Sequence, residues 1–482
     1  LWNHYGTLSR VFLNGSSYAS IIVKHILIPT QESHPKGFIG SLSKQRKIRS
    51  YEVESHWYLQ YNQQVNSGSP TPKCLGVITG DYGQCIVLED LLTLGYTRSL
   101  NSASWHTLTI GLKWLAQFHS QFIGSSTEGL WPCGTYWHLA TRPEEWANIE
   151  GSKLHYFAPL LDARLRTCRF QTIVHGDAKL ANFCFLDDLS KVAAVDFQYV
   201  GRGCGMRDVA YFVGSCLSQT ECEHREADIL ELYFLELRAC LSSKIDPAEL
   251  EAEWRPLYSV AWADFQRFML GWSPQHQKLT AYSDTMTNKA VKLISDELLA
   301  LAQSACLAAG QFIQENRNRL YKISSKGLLS QASDVVTEID IQAQAIILDI
   351  LEPSLKRYDL GLLAEEGDQD ESRLHKEAFW TIDPLDGTQY FIEKGVGYAT
   401  SIALVSKSGK SILGVVYDPV NQDIYQVVRG EGVTLNGEAI RLVNKAVSLS
   451  IPIRWFADRS LQSHHYFERY QSAFEIYFMG GA

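Results

Sequence analysis

A chain of 482 residues, 45% hydrophobic and 20% charged, holds enough apolar material for two or three cores, which excludes a single small domain. A formal net charge of −9 excludes a broad basic surface, and with it nucleic acid as the main partner. The 10 cysteines form no close C-x-x-C pair, which excludes zinc ribbons and thioredoxin-like chemistry and fits a reducing, cytoplasmic setting.

Residues 1 to about 92 read as mostly β. Arg10-Val11-Phe12-Leu13 and Ser20-Ile21-Ile22-Val23-Lys24 flank the turn Asn14-Gly15-Ser16-Ser17 as a hairpin. The polar, basic stretch Ser41–Ser50 leads into a helical run over Tyr51–Gln64, and Cys85-Ile86-Val87-Leu88 is a buried-type strand ending at Glu89-Asp90. From Ser104 to Cys240 the pattern is helical around a region from His175 to Gln198. The polar, Pro-free segment Asp284–Glu297 then enters a helix with apolar residues at Leu298, Leu301, Ala305, Ala308 and Phe312. Ser295 is its expected cap, with Asp296 and Glu297 in the first turn favouring the dipole. A domain boundary near 290 follows, dividing the chain into 1–290 and 291–482. A second amphipathic helix covers Thr337–Leu351 and stops at Pro353. Thr400–Val405, Ser411–Tyr417 and Asp423–Val428 then make an antiparallel meander, and Ser448–Ile453, Leu461–Ala473 and Glu475–Met479 read as strand, helix, strand. No uninterrupted apolar stretch approaches the roughly 20 residues that span a bilayer, so no membrane partner is expected. The chain opens on Leu1 and closes on Gly480-Gly481-Ala482, so both ends read as cuts in a longer coding sequence.

Two motif sets carry chemistry. The first is His175-Gly176-Asp177-Ala178-Lys179-Leu180-Ala181-Asn182, followed by Asp196-Phe197-Gln198. ATP-dependent phosphoryl transfer needs a carboxylate to take the hydroxyl proton, and an amide and a second carboxylate to hold Mg2+ against the phosphates. Asp177 suits the base, and Asn182 and Asp196 the metal. Lys179 can meet the migrating phosphoryl group. His175 reads as a structural residue that fixes the loop. Lys24, at the end of its strand, can reach the α- and β-phosphates, and Glu54 can hold that lysine. The loop His4–Thr7 can lie over the nucleotide, and Glu89 to Leu91 would receive adenine through backbone groups. Among the aromatics beyond Tyr211, the residues Trp254, Trp262, Phe265 and Trp272 suit either an acceptor pocket or a core.

These residues, with Leu1-Trp2-x-x-Tyr5-Gly6, resemble the phosphotransferases that include choline, aminoglycoside and ecdysteroid kinases, and most closely the ecdysteroid-kinase-like branch. The resemblance implies a protein-kinase-like two-lobed domain, with an N-lobe over about 1–92 and a C-lobe over about 93–290. It also implies a small-molecule hydroxyl as acceptor.

The second set is Ala364-Glu365-Glu366-Gly367 and Trp380-Thr381-Ile382-Asp383-Pro384-Leu385-Asp386-Gly387-Thr388. Asp383, Asp386, the Leu385 carbonyl and Glu365 can converge on hard cations. The amides of Gly387 and Thr388, opening a helix, would face a phosphate. Glu366 reads as a solvated neighbour. With Asp334-Val335-Val336-Thr337-x-x-Asp340, this set resembles the inositol monophosphatase superfamily, which includes the 3′(2′),5′-bisphosphate nucleotidases.

That resemblance implies Mg2+ on Glu365, Asp383, Leu385 and Asp386, a water oriented by Asp340 with Thr388, and an α/β layered sandwich, C-terminally incomplete. The family's further Trp-Asp motif does not occur before residue 482, so weak or absent phosphatase activity is expected of this chain.

The whole reads as an α+β chain in which an ATP-dependent small-molecule kinase is fused to a Mg2+-dependent phosphate monoesterase. A homodimer through the C-terminal domain is admitted. Two other readings stay open. One is an active kinase whose phosphatase-like module serves a structural or regulatory role. The other is two unrelated proteins joined by a gene-model error. Gln389 and Tyr390 do not separate an inositol phosphate from a nucleotide bisphosphate.

Overall fold

Apolar residues on either side of the Asn14–Ser17 turn fold β1 (Gly6–Phe12) back on β2 (Ser20–Ile26), with Phe12 opposite Ser20 and Gly6 opposite Ile26. The structure, a computed structural model, describes residues 5–27, 41–80, 83–319, 322–325, 335–367, 370–441, 453–458 and 474–479. It divides into two compact units, Leu1–Val291 and Lys292–Ala482.

In the first unit, α1 (Ser41–His56) is followed by β3 (Cys74–Gly80) and β4 (Gly83–Glu89), and the four strands form an antiparallel sheet in the order β1-β2-β4-β3. The stretch Ser41–Ser50, expected as a lead-in, is itself helical. Lys and Arg are good helix formers, and Arg49 pairs with Glu52 at 3.1 Å on the next turn. Gly6 belongs to β1 rather than to a covering loop. Its φ is +125°, and a Cβ there would sit 1.8 Å from the His25 carbonyl oxygen. His4 lies outside the described residues.

A helical part follows: β5 (Arg98–Ser99), α2 (Trp105–Phe122), α3 (Pro143–Ala147), α4 (Lys153–Arg166), β6 (Thr172–Val174), β7 (Phe183–Phe185), β8 (Val192–Ala194), β9 (Gly201–Gly203), α5 (Met206–Cys216), α6 (Gln219–Cys240) and α7 (Pro247–Trp272). β6 pairs with β9, and β7 with β8, so the His175–Asn182 segment and the Asp196 turn hang between short hairpin strands. Trp57 stacks on Phe197 with ring centres 4.7 Å apart, and His175 lies 4.6 Å from the same ring. Aromatic packing thus anchors the residue between Asp196 and Gln198.

The long helix α8 (Ala281–Asn316) contains the division between the units. Ser295 is therefore not a cap; it sits inside the helix, 2% exposed, its hydroxyl without a hydrogen-bond partner. The buried stripe, Ile294, Leu298, Ala302, Ala305, Ala309 and Ile313, runs one residue beyond most of the expected positions. By length and composition α8 is the one helix among the described residues apolar enough to cross a membrane, yet that stripe lies inside the protein.

In the second unit, β10 (Ile323–Ser325) pairs antiparallel with β11 (Val335–Thr337), which leads into α9 (Glu338–Arg357). Thr337 and Asp340 form a capping box, and Pro353 lies within α9 instead of ending it. The turn around that proline is pinned by Ser354, which donates to the Leu351 carbonyl and accepts from the Trp380 indole at 2.9 Å. β12 (Gly361–Ala364), β13 (Ala378–Asp386), α10 (Thr388–Ile392), β14 (Ala399–Ser406), β15 (Ser411–Asp418), β16 (Asp423–Val428), β17 (Gly432–Leu435) and β18 (Glu438–Ile440) complete the ordered run. The seven strands make one sheet in the order β12-β13-β14-β15-β16-β17-β18, parallel at its first pair and antiparallel after it. β19 (Ile453–Asp458) and β20 (Phe474–Met479) pair in parallel. Of the expected strand Ser448–Ile453 only Ile453 is described, and it opens β19; the expected helix Leu461–Ala473 and Asp334 fall outside the described residues.

The position of Ser295 is testable. Ser295→Ala should leave stability to urea unchanged or raise it by about 0.5–1 kcal/mol, because it removes a buried unpaired hydroxyl from a helix interior. Loss of about 1 kcal/mol would instead mark a lost cap.

Candidate functional site

Lys24 is one of the few charged side chains the β-sheet of the first unit turns inward, at 5% exposure. Burial works against its ammonium, but Glu54 and Asp196 face it and raise its pKa. Its Nζ lies 2.7 Å from the Glu54 carboxylate and 3.2 Å from Asp196 Oδ1. Glu54 is buried on α1, whereas Glu52 two residues earlier is exposed and spent on Arg49. One cation thus ties β2 and α1 to the Asp196 turn.

The loop from His175 is shaped from below. The Asp208 carboxylate of α5, fully buried, accepts from the backbone amides of His175 at 2.5 Å and Gly176 at 3.0 Å, and pairs with His119. Gly176 has φ +79°, and a Cβ would meet the Tyr199 carbonyl at 2.0 Å, so the loop accepts only glycine there. The His175 ring lies 3.0 Å from the Val195 carbonyl through Nε2 and accepts from the Asp177 amide through Nδ1. These partners assign the ring a neutral, loop-joining role.

Asp177 Oδ2 receives Lys179 Nζ at 3.0 Å and Asn182 Nδ2 at 3.0 Å, while its Oδ1 is buried without a partner. Burial pushes the Asp177 carboxyl up against the pull of Lys179, and the Asp196 charge adds to the rise. Asp196 behaves oppositely: burial opposes ionisation, but Lys24 and Lys47 hold its pKa down. Its φ of +70° is unusual for a non-glycine residue, and Gln198 Nε2 donates to its Oδ1 at 2.7 Å.

A cavity of about 890 Å³ brings these residues together: Lys24, Glu54, Glu89, Leu91, Asp177, Lys179, Asn182 and Asp196 all line it. The stretch Glu89–Leu91 is only partly open to a ligand. The Glu89 amide is used by the Lys73 carbonyl, and the Leu91 carbonyl accepts from Tyr96. Of the aromatics expected as an acceptor wall, Trp272 lines the cavity, whereas Trp254, Trp262 and Phe265 are core. The wall is completed by Tyr136, Tyr211 and Phe268 with Arg46, Lys47 and Arg142, which sequence reasoning missed. Which aromatics face inward depends on helix rotation, and the place of Lys47 two turns before Glu54 emerges only once Ser41–Ser50 is seen to be helical. The donors Asn182 and Asp196, an amide and a carboxylate, suit Mg2+.

In the second unit, parallel pairing of Ala364 with Ile382 sets Glu365 beside Asp383, and the Glu365 amide donates to the Ile382 carbonyl at 3.1 Å. Burial, Glu365 and Asp386 push the Asp383 carboxyl up to about 9. Asp383 Oδ1 is buried without a hydrogen-bond partner. Crowded carboxylates with an orphaned oxygen fit a divalent cation held by Glu365, Asp383, Asp386 and the Leu385 carbonyl. Glu366, expected to be solvated, is 7% exposed, and its backbone is clasped on both sides by Gln344. Asp340, 1% exposed, accepts from Thr337 through one oxygen and faces the Thr388 hydroxyl at 3.0 Å through the other. The same hydroxyl lies 2.9 Å from the Leu385 carbonyl. Gly387 adopts φ +85° as α10 opens. That helix has 5 residues, so its dipole is slight and any phosphate would rest on the local amides.

Comparison with known proteins matches residues 295–476 to the inositol monophosphatase family and residues 138–244 to the ecdysteroid kinase-like family. The chain is 34% identical over 146 residues to Nus factor SuhB of Escherichia coli K12, covering 30% of this chain and 52% of that one. It is 36% identical over 148 residues to inositol-1-monophosphatase of Synechocystis, covering 31% and 49%. The chain thus spans about half the length of these curated relatives. Among solved structures, the Thermotoga maritima IMPase is 27% identical, with a TM-score of 0.33 over 37% of this chain and 66% of that one. The suhB protein of Bartonella henselae is 26% identical, with a TM-score of 0.34 over 39% and 71%. The chain joins an ecdysteroid kinase-like segment to an inositol monophosphatase-like one.

Two outcomes follow from the charge arrangement. Lys24→Met should cost about 3–5 kcal/mol in urea unfolding by stranding two carboxylates, and Lys24→Met with Glu54→Leu should regain most of it. In the second unit the raised Asp383 pKa means the folded form holds a proton the unfolded form releases. Without metal, stability should therefore fall as pH rises from the ordinary carboxylate range to about 9, by up to about 1.4 kcal/mol per pH unit. Thermal melts with Mg2+ should remove that slope, and Asp383→Asn should abolish both the slope and the Mg2+ effect.

Proposed function

We propose that the chain handles phosphoryl groups at two sites: ATP-dependent phosphorylation of a small-molecule hydroxyl in the first unit, and hydrolysis of a phosphate monoester in the second. The observation that carries the reading is Lys24 held between Glu54 and Asp196 in a cavity also lined by Asp177 and Asn182.

In the first site, a kinase-like two-lobed arrangement sets the sheet over the His175 loop. Lys24 meets the α- and β-phosphates of ATP. Asp177, through its unpartnered oxygen, takes the proton of the acceptor hydroxyl. The acceptor oxygen bonds to the γ-phosphorus as the bond to the β–γ bridging oxygen breaks, and ADP leaves. Lys179 neutralises charge on the group in transit. Asn182 and Asp196 would hold Mg2+, which when bound offsets the charge of the phosphates.

In the second site, the Gly387 and Thr388 amides hold the phosphate. Asp340 and Thr388 orient a water and draw off its proton. The water oxygen bonds to phosphorus, the ester oxygen leaves as an alcohol, and inorganic phosphate remains. Glu365, Asp383, Leu385 and Asp386 would hold Mg2+, which when bound polarises the phosphate.

The test is an ATP-consumption and phosphate-release screen on the full chain with alcohols, sugars, sterols and phosphate esters. Asp177→Ala should lower ATP-dependent phosphorylation by about 100-fold or more and spare ester hydrolysis. Asp383→Ala should abolish the ester hydrolysis, itself expected to be weak, and spare phosphorylation. Equal loss of both activities in each variant, or neither activity in the unaltered chain, would contradict the assignment.

A further inference from the structure

Lys47 is the ammonium of the cavity that the mechanism above leaves unused. It lies on α1 seven residues before Glu54, a spacing of two helical turns that puts both on one face. When Glu54 docks on Lys24, that geometry carries Lys47 into the cavity wall, where it is found.

The surroundings of Lys47 differ from those of the other lysines there. Lys24 faces two carboxylates and Lys179 faces Asp177. Among the described residues, no carboxylate lies within ion-pair distance of Lys47. Its Nζ instead donates to Gln198 Oε1 at 2.7 Å and lies 4.6 Å from the centre of the Tyr51 ring. Both partners are neutral. Burial and the nearby Lys24 charge lower its pKa to about 8, while Asp196, Glu54 and Asp177 all lie near enough to pull it upward. A half-buried ammonium with only neutral partners is costly to keep, and an anion entering the cavity would repay that cost.

Gln198 defines where that anion belongs. Its carbonyl oxygen accepts from Lys47 and its amide donates to Asp196 Oδ1 at 2.7 Å. One side chain, 6% exposed, therefore holds the ammonium beside a proposed Mg2+ ligand, and the Lys47 and Lys24 ammoniums lie 4.6 and 5.8 Å from the same Tyr51 ring in the wall of one cavity. Resting on the kinase reading, we propose that Lys47 is a second phosphate-binding lysine, whose ammonium leaves Gln198 to contact the terminal phosphate of ATP. Lys24 then serves the inner phosphates and Lys47 the one transferred, which favours the triphosphate over the diphosphate left after reaction.

The experiment is calorimetric titration of the full chain with Mg·ATP and Mg·ADP. Lys47→Ala should weaken Mg·ATP binding by about tenfold or more and change Mg·ADP binding by less than about twofold, as expected for one lost charge-assisted contact. Lys47→Arg, which keeps the charge, should recover most of the preference. Lys47→Met keeps the apolar stem and gives the same readout should the alanine variant fold poorly. Equal weakening of both nucleotides would assign Lys47 a structural role, and unchanged binding of both would assign it none; either overturns the proposal and leaves the kinase reading standing. No binding of Mg·ATP by the unaltered chain overturns both.

Discussion

The first unit is organised around one buried ammonium. Lys24 reaches 2.7 Å to Glu54 and 3.2 Å to Asp196, and those three residues come from a strand, a helix and a turn that are 30 and 172 residues apart in the chain. Desolvating a single charge of this kind costs several kcal/mol unless partners repay it, so the pair of carboxylates is a structural requirement whatever the cavity binds. Once it is met, the consequences are geometric. Glu54 fixes the rotation of α1, and Asp196 is held at a strained backbone angle beside Phe197, whose ring is clamped by Trp57 and His175. The cavity lies where these constraints meet.

The second unit instead gathers like charges. Negative groups are brought together without a visible counter-charge on Asp383, whose pKa rises to about 9 as a result. β13 does this by continuing as a strand through Asp386 with an irregularity between Asp383 and Asp386, while the parallel neighbour β12 delivers Glu365. Asp340 and Thr388 then join α9 to the start of α10 through a contact of 3.0 Å. Lysines and carboxylates meet in one cavity of the first unit, and carboxylates crowd together in the second; on the proposed reading the first takes a phosphate chain directly and the second meets phosphate through a divalent ion.

Much of this was legible in the sequence where the signal is local. The hairpin around Asn14–Ser17 and the meander from Thr400 to Val428 alternate with period two, and their turns carry the residues turns require. The motif spacings singled out Asp177, Asn182, Asp196, Asp383 and Asp386, each of them in a strand or within three residues of one. What stayed hidden depends on tertiary context. Ser41–Ser50 has no apolar period, so its helix was invisible, and with it the two-turn relation of Lys47 to Glu54. Ser295 has the chemistry of a cap but lies in a helix that never stops there. Pro353 is tolerated because Ser354 and Trp380 hold the last turn. Glu366 looks like a surface neighbour of Glu365, yet Glu366 is the buried one, its backbone clasped by Gln344, and Glu365 is exposed.

The account stands most directly on whether Asp196 and its neighbours assemble a nucleotide–metal site. Electron paramagnetic resonance of Mn2+ reads this without any knowledge of the acceptor. Titrating the full chain with Mn2+ in the presence and absence of ATP separates an ATP-dependent ion from any bound in the second unit. The account predicts at least one ATP-dependent Mn2+ per chain, absent in Asp196→Asn and retained in Asp383→Asn. An ATP-dependent population that is missing from the unaltered chain, or that survives Asp196→Asn intact, would contradict it.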